Sequence, residues 1–433
     1  MSENFSSHLI VAWFRDAPWM TRRWLRIYPR IFLAMFTLEA IVWVIASTGL
    51  VDPHGHPIGA DFIDPWAASW LTLHGRPTEV YDIARLWAVE KAAVTYPGVG
   101  YAGFHYPPMY LLIVMPLALM PYTLSLAAWS VVTLAAYVAV IWMIDRAPGA
   151  PWREPDALWL AIAFPGVFVN LTCGQNGFLT VALLGGAILA LDRRRPILAG
   201  ILFGLMSYKP QYAVLIPLYL LATGRWRVLL ASAVAVALFA ALSLAVFGRQ
   251  TWQAFFGSVE FTRHVVLEQG GSGFGKLQSA FAAMRLWGFG IKASYAMQAA
   301  ISLATATAAV WIWRRTTNPR LQAAALATGV MLMSPYMMDY DLVVLALPIA
   351  WLAILGLQSG FMPWEKSILA LAWMLPMFAR TLAIDFRIPL APPLLLMLMA
   401  LIVRRALLDD GLETTLESRA RPIVSIKARF AEG

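Results

Sequence analysis

Eleven long apolar stretches follow one another along this chain, near residues 31–50, 109–144, 157–172, 177–191, 197–223, 227–247, 291–313, 321–337, 340–357, 366–383 and 388–403. Within hydrocarbon every backbone N–H and C=O must find a partner inside the protein, so such runs are restricted to helices. With 60% hydrophobic and only 13% charged residues, the chain has too little polar surface for a soluble domain. The expectation is an all-α polytopic membrane protein with eleven to thirteen membrane segments. Pro121 divides the second run and Pro210 breaks the fifth. The stretches 157–172, 177–191 and both halves of 197–223 fall short of the roughly 20 residues that cross a bilayer. Half-depth helices meeting at a polar break are expected where they line a cavity.

The formal charge of +9 does not point to nucleic acid, because the basic residues cluster at the ends of apolar runs. Arg22, Arg23, Arg26 and Arg30 precede the first run, whereas 51–107 carries six acids against three bases. This bias predicts a cytoplasmic amino terminus, and the length of the first run argues against a cleaved signal. The clusters Arg193–Arg195, Arg225/Arg227, Arg314/Arg315 with Arg320, and Arg404/Arg405 are then cytoplasmic as well, which puts the carboxyl tail inside. Both ends of 197–223 would share that side, so this run is a hairpin of two short helices or one cluster is misplaced. The predicted division is a cytoplasmic segment 1–30, a membrane domain 31–405 and a cytoplasmic tail 406–433. Within the domain, 51–107 is an outer loop with interfacial helices carrying Trp66, Trp70, Val80 and Trp87, and 248–277 is a possible mobile loop. One cysteine, Cys173, excludes an intrachain disulfide or a cysteine metal cluster.

Lys209-Pro210 is the sharpest local feature, since about a dozen apolar residues flank an ammonium and a broken helix on each side. Polar groups at that depth are kept mostly for function. The cation suits an anion delivered by the bilayer, such as a lipid phosphate. Its bland alternative is a buried pair with a carboxylate. Asp61 lies after the first span and is the candidate general base for an acceptor hydroxyl. Asp64, before Pro65, fits a helix cap better. His105 and Tyr106, ahead of Pro107-Pro108, suit a sugar or phosphate at the membrane surface, or an aromatic belt and helix start. Gln175 and Asn176, flanked by glycines, either bind a ligand's hydroxyls or join helices. Gln211 supports the Lys209 break. Asp339, Tyr340 and Asp341 are read as supporting residues: the acids cap a helix, pair with Lys209, or hold a hydroxyl or metal.

Asp61, Tyr106-Pro107-Pro108, Gly174-Gln175-Asn176, Lys209-Pro210-Gln211 and Ser334-Pro335 occur in an order that resembles glycosyltransferase family 87, over roughly residues 30–405. The resemblance implies a GT-C-type bundle, a polyprenyl-phosphate sugar donor, and an inverting transfer with the outer-loop Asp61 as base. It implies no cofactor, and a divalent metal is not expected. Mannosyltransferase-like members tend to carry histidines near the Ser334-Pro335 block, where this chain has Tyr340-Asp341, so the sugar stays open. The expected protein is a hexosyltransferase, for mannose or else a pentose, in a bacterial-type plasma membrane with its site facing the periplasm or exterior. Its partners would be membrane lipid, the donor and a glycolipid or glycan acceptor, with no nucleic acid. The alternative is a transporter or flippase of lipid-linked sugars.

Overall fold

The computed structural model describes residues 10–94, 98, 100–147 and 155–420, with backbone only at 155 and from 410 onward. The predicted terminal segments 1–30 and 406–433 therefore lie partly outside the described residues. Among the described residues the chain is helical, with isolated β-bridges and no strand. Among the described residues, eight helices are long and apolar enough to cross a membrane. Four shorter apolar ones, Pro108–Leu119, Gly177–Asp192, Pro196–Tyr208 and Pro210–Ala222, accompany them. Together they fall within the expected eleven to thirteen segments, and the protein is an all-α polytopic membrane protein.

The fifth run is a hairpin. A Cβ on Gly200 would stand 2.4 Å from the Ala231 Cβ, and one on Gly204 would stand 2.6 Å from the Ala235 Cβ. Four residues on in one helix match four residues on in the other, so Pro196–Leu205 and the start of Trp226–Thr262 run parallel. Residue 226 therefore lies at the same end of the bundle as residue 196, and Pro210–Ala222 must return from the tip. Lipid gives no hydrophobic drive for helices to pair, so the two glycines act by letting the backbones close up. Pro210 occupies the first helical turn after the break, where its missing N–H leaves no bond unmade. Lys209 is the non-helical residue at the tip, with φ −118° and ψ 78°.

The arginine clusters gather at one end. Arg15 O accepts from Trp364 N at 2.7 Å, tying the amino-terminal region to the start of Glu365–Phe386. Arg26 reaches Asp156 at 2.6 Å, and Arg225 reaches Gln322 at 3.3 Å. Arg405 is no free topological charge: it grips both oxygens of buried Glu365 at 2.5 and 2.6 Å. The first and last long helices thus have their outer ends on one face.

On the opposite face, the loop 51–107 forms the helices Ile63–Leu73, Pro77–Tyr81 and Ile83–Val94, as its amphipathic spacing predicts. The segment 248–277 differs from the expected loop. Gly248, at φ 79°, kinks the long helix, which continues to Thr262 and then as a wider turn through Glu268. This second arm packs on the outer loop, with Thr251 3.3 Å from Thr78 and Phe255 against Tyr81. Only the glycine-rich stretch after it is non-helical.

Candidate active site

Gly174 ends the helix Pro165–Cys173 in the left-handed region, φ 65°, where glycine carries no side-chain penalty. A Cβ there would lie 2.5 Å from the Phe62 Cβ, so the turn carrying Asp61 rests directly on this helix end. The Asp61 N–H donates to Cys173 O at 3.0 Å. Next along, Gln175 donates to Asp61 Oδ2 at 3.3 Å and accepts from the Tyr106 hydroxyl at 3.3 Å. The order Asp61–Gln175–Tyr106 is thus one hydrogen-bonded chain assembled from three segments.

The second wall comes from residues 276–278, whose backbone pairs with 337–339: Gln278 N donates to Met337 O at 2.7 Å and Asp339 N donates to Lys276 O at 2.9 Å. From that anchor Lys276 Nζ reaches both oxygens of Asp61, at 2.9 and 2.7 Å. Burial alone would draw the Lys276 pKa down, but the Asp61 carboxylate holds it above the usual lysine value. At the hairpin tip Lys209 Nζ donates to Asp341 Oδ1 at 2.6 Å, with both side chains 2% exposed. Asp341 also accepts from Met338 N at 3.2 Å. The two ammonium groups lie 5.6 and 5.7 Å from the centroid of one ring, Tyr340.

These groups face a cavity of about 510 Å³ on the face opposite the arginine clusters. That volume lies within the range of small-molecule sites. Asp61, Asp64, His105, Tyr106, Gln175, Lys209, Gln211, Tyr340 and Asp341 all line it, as does Lys276. His105 Nδ1 lies 2.9 Å from the Thr262 hydroxyl, linking the cavity mouth to the kinked arm.

Several expectations are corrected. Of the alternatives left open for Lys209, the structure shows the carboxylate pair, with Asp341 as the partner. Asp64 caps nothing: the cap position is Phe62, and buried Asp64 leaves its Oδ1 without a hydrogen-bond partner. Burial, with Glu90 and Asp61 nearby, pushes the Asp64 pKa well above the usual carboxylate range. Asn176 does not line the cavity; it turns into the bundle and donates to the Tyr110 hydroxyl at 3.1 Å. Asp339 supports the wall through its backbone, while its side chain pairs with Arg380 at 3.3 Å. The two acids of the Asp339-Tyr340-Asp341 block thus serve different cations, and among the described residues no group of three or more His, Cys, Asp or Glu is arranged to hold a metal ion. Lys276, which follows the glycine-rich stretch Gly270–Gly275 inside 248–277, is a site residue that the sequence did not single out.

A polytopic helical membrane protein with a polar, charge-paired cavity beneath one face defines the class to which this chain belongs. Residues 104–335 match the family model of glycosyltransferase family 87. The chain belongs to that family and is a membrane glycosyltransferase. The matched stretch contains Tyr106, Gln175, Lys209 and Lys276, while Asp61 lies before it and Asp339–Asp341 after it. No curated protein and no solved structure matches the chain.

Proposed function

We propose that this glycosyltransferase moves a hexose, mannose foremost, or a pentose from a polyprenyl-phosphate donor to a lipid-linked or envelope glycan acceptor with inversion at the anomeric carbon. Asp61 takes the proton of the acceptor hydroxyl as that oxygen attacks the anomeric carbon from the face opposite the phosphate. The bond from that carbon to the phosphate oxygen breaks, and the electron pair leaves with polyprenyl phosphate. Cationic donors aimed at the departing phosphate stabilise the charge that develops there. Lys209 supplies such donors from the hairpin tip, with Asp341 orienting it. Gln175 and Tyr106 position Asp61 and meet sugar hydroxyls, and no metal or other cofactor takes part.

One observation carries this reading: in a member of glycosyltransferase family 87, a carboxylate and two lysines from distant segments face the same cavity. The positive-inside bias supports a cytoplasmic arginine face, and the proposed setting is a bacterial-type plasma membrane. The cavity then opens outward, where a lipid-linked donor is presented by the bilayer. A transporter of lipid-linked sugars would use a similar phosphate grip but release no free carrier. Transfer from a labelled donor by the wild-type protein and by Asp61→Asn tests the proposal.

A further inference from the structure

Asp61 is crowded for a base. Two contacts from Lys276 and one from Gln175 already occupy three of the roughly four lone-pair positions of a carboxylate. The Lys276 backbone is pinned by Asp339 N–H, so the ammonium can leave Asp61 only by rotating its side chain about a fixed anchor. The neighbouring wall within its reach is the Tyr340 ring, on which Lys209 also sits. The Lys276 side chain is 15% exposed and that of Asp61 21%, so this pair is more open to the cavity than Lys209–Asp341, at 2% each.

We propose that Lys276 is a shared cation: it neutralises Asp61 in the empty enzyme and transfers to the donor's phosphate when the donor binds, freeing Asp61 to accept a proton. The proposal rests on the polyprenyl-phosphate reading above. It makes the base available only in the donor complex, so acceptor activation follows donor binding. In the transfer step the acceptor oxygen bonds to the anomeric carbon, its proton passes to Asp61, and the phosphate leaves with the bonding pair against Lys276. Competition between two anions for one ammonium is the physical core of the device.

The test is a binding cycle on the full-length protein in detergent, with a short-chain polyprenyl monophosphate as probe. Lys276→Gln is expected to weaken binding about ten- to hundredfold, the effect of one charge-assisted hydrogen bond. Lys276→Arg should retain most of the affinity. Asp61→Asn is expected to tighten binding several-fold, because the lysine no longer has to leave a carboxylate. In Asp61→Asn/Lys276→Gln that tightening should vanish, and this double variant leaves no orphaned charge to unfold the site. The proposal is overturned if Asp61→Asn binds no tighter than wild type, if Lys276→Gln binds as well as wild type, or if the tightening persists without Lys276. Single-turnover transfer separates the two ideas: activity retained in Asp61→Asn removes Asp61 as the base, whatever the binding cycle shows.

Discussion

Lys276 Nζ bridges the two carboxylate oxygens of Asp61 at 2.9 and 2.7 Å across 215 residues of chain. The contact joins the outer loop to the stretch that follows the kinked helix, and it sits in the same cavity as a second lysine pair. On the proposed mechanism, both lysines are held by carboxylates until the donor's phosphate arrives.

Asp61→Asn is nearly isosteric and keeps the Gln175 side of the hydrogen-bond chain. Loss of a positioned general base typically costs about 10²–10⁴-fold. Transfer of a labelled sugar should fall by that order while donor binding persists. Transfer at the wild-type rate would take Asp61 out of the mechanism.

Lys209 and Asp341 are both buried, so removing one strands the other. Lys209→Met should destabilise the protein by about 3–5 kcal/mol, and adding Asp341→Leu should restore much of the loss. Thermal unfolding in detergent reads this directly. If Lys209 also serves the donor phosphate, the double variant will be folded yet poor in transfer. A folded and fully active double variant would make the pair structural only.

Gly174 has a conformation that side chains disfavour and a neighbour, Phe62, with no room for a Cβ. Gly174→Ala should cost about 1–2 kcal/mol for the left-handed backbone, and the contact adds to this. Because the clash pushes on the turn carrying Asp61, transfer should fall more than the donor's affinity. Equal losses in both would place the effect elsewhere.

Glu90 is buried in the outer-loop helix with one oxygen unpartnered, and burial raises its pKa from 4.5 to about 7, only partly offset by the Ala102 N–H. The folded state therefore holds this proton to higher pH than the unfolded chain does. Stability attributable to Glu90 is fully present below pH 4.5 and falls as pH rises to about 7, by roughly 3 kcal/mol in all. Glu90→Gln should flatten the decline in melting temperature over that interval. An unchanged slope in the variant would assign the decline to another group.

The spans were legible because apolar runs in a bilayer have helices as their only outlet, and Lys209-Pro210 marked the break in the fifth run. The basic clusters even exposed the hairpin as a topological conflict. The choice between the neighbours Gln175 and Asn176 was not legible, since it depends on how the helix end is rotated and which amide faces the cavity. The partner of Lys209 was open for the same reason: Asp341 lies 132 residues away, and no local pattern marks the pairing. Lys276 was hidden further, because a lysine beside glycines in an outer segment reads as solvated until the backbone pairing with 337–339 turns it inward.

The most direct measurement is the fate of the carrier. Purified wild-type protein, given a labelled polyprenyl-phosphate sugar and membrane glycolipid acceptors, should release free polyprenyl phosphate in step with acceptor glycosylation, and Asp61→Asn should release almost none. Movement of the intact donor across the bilayer with no carrier released, or sugar transfer from a nucleotide sugar alone, would contradict the account.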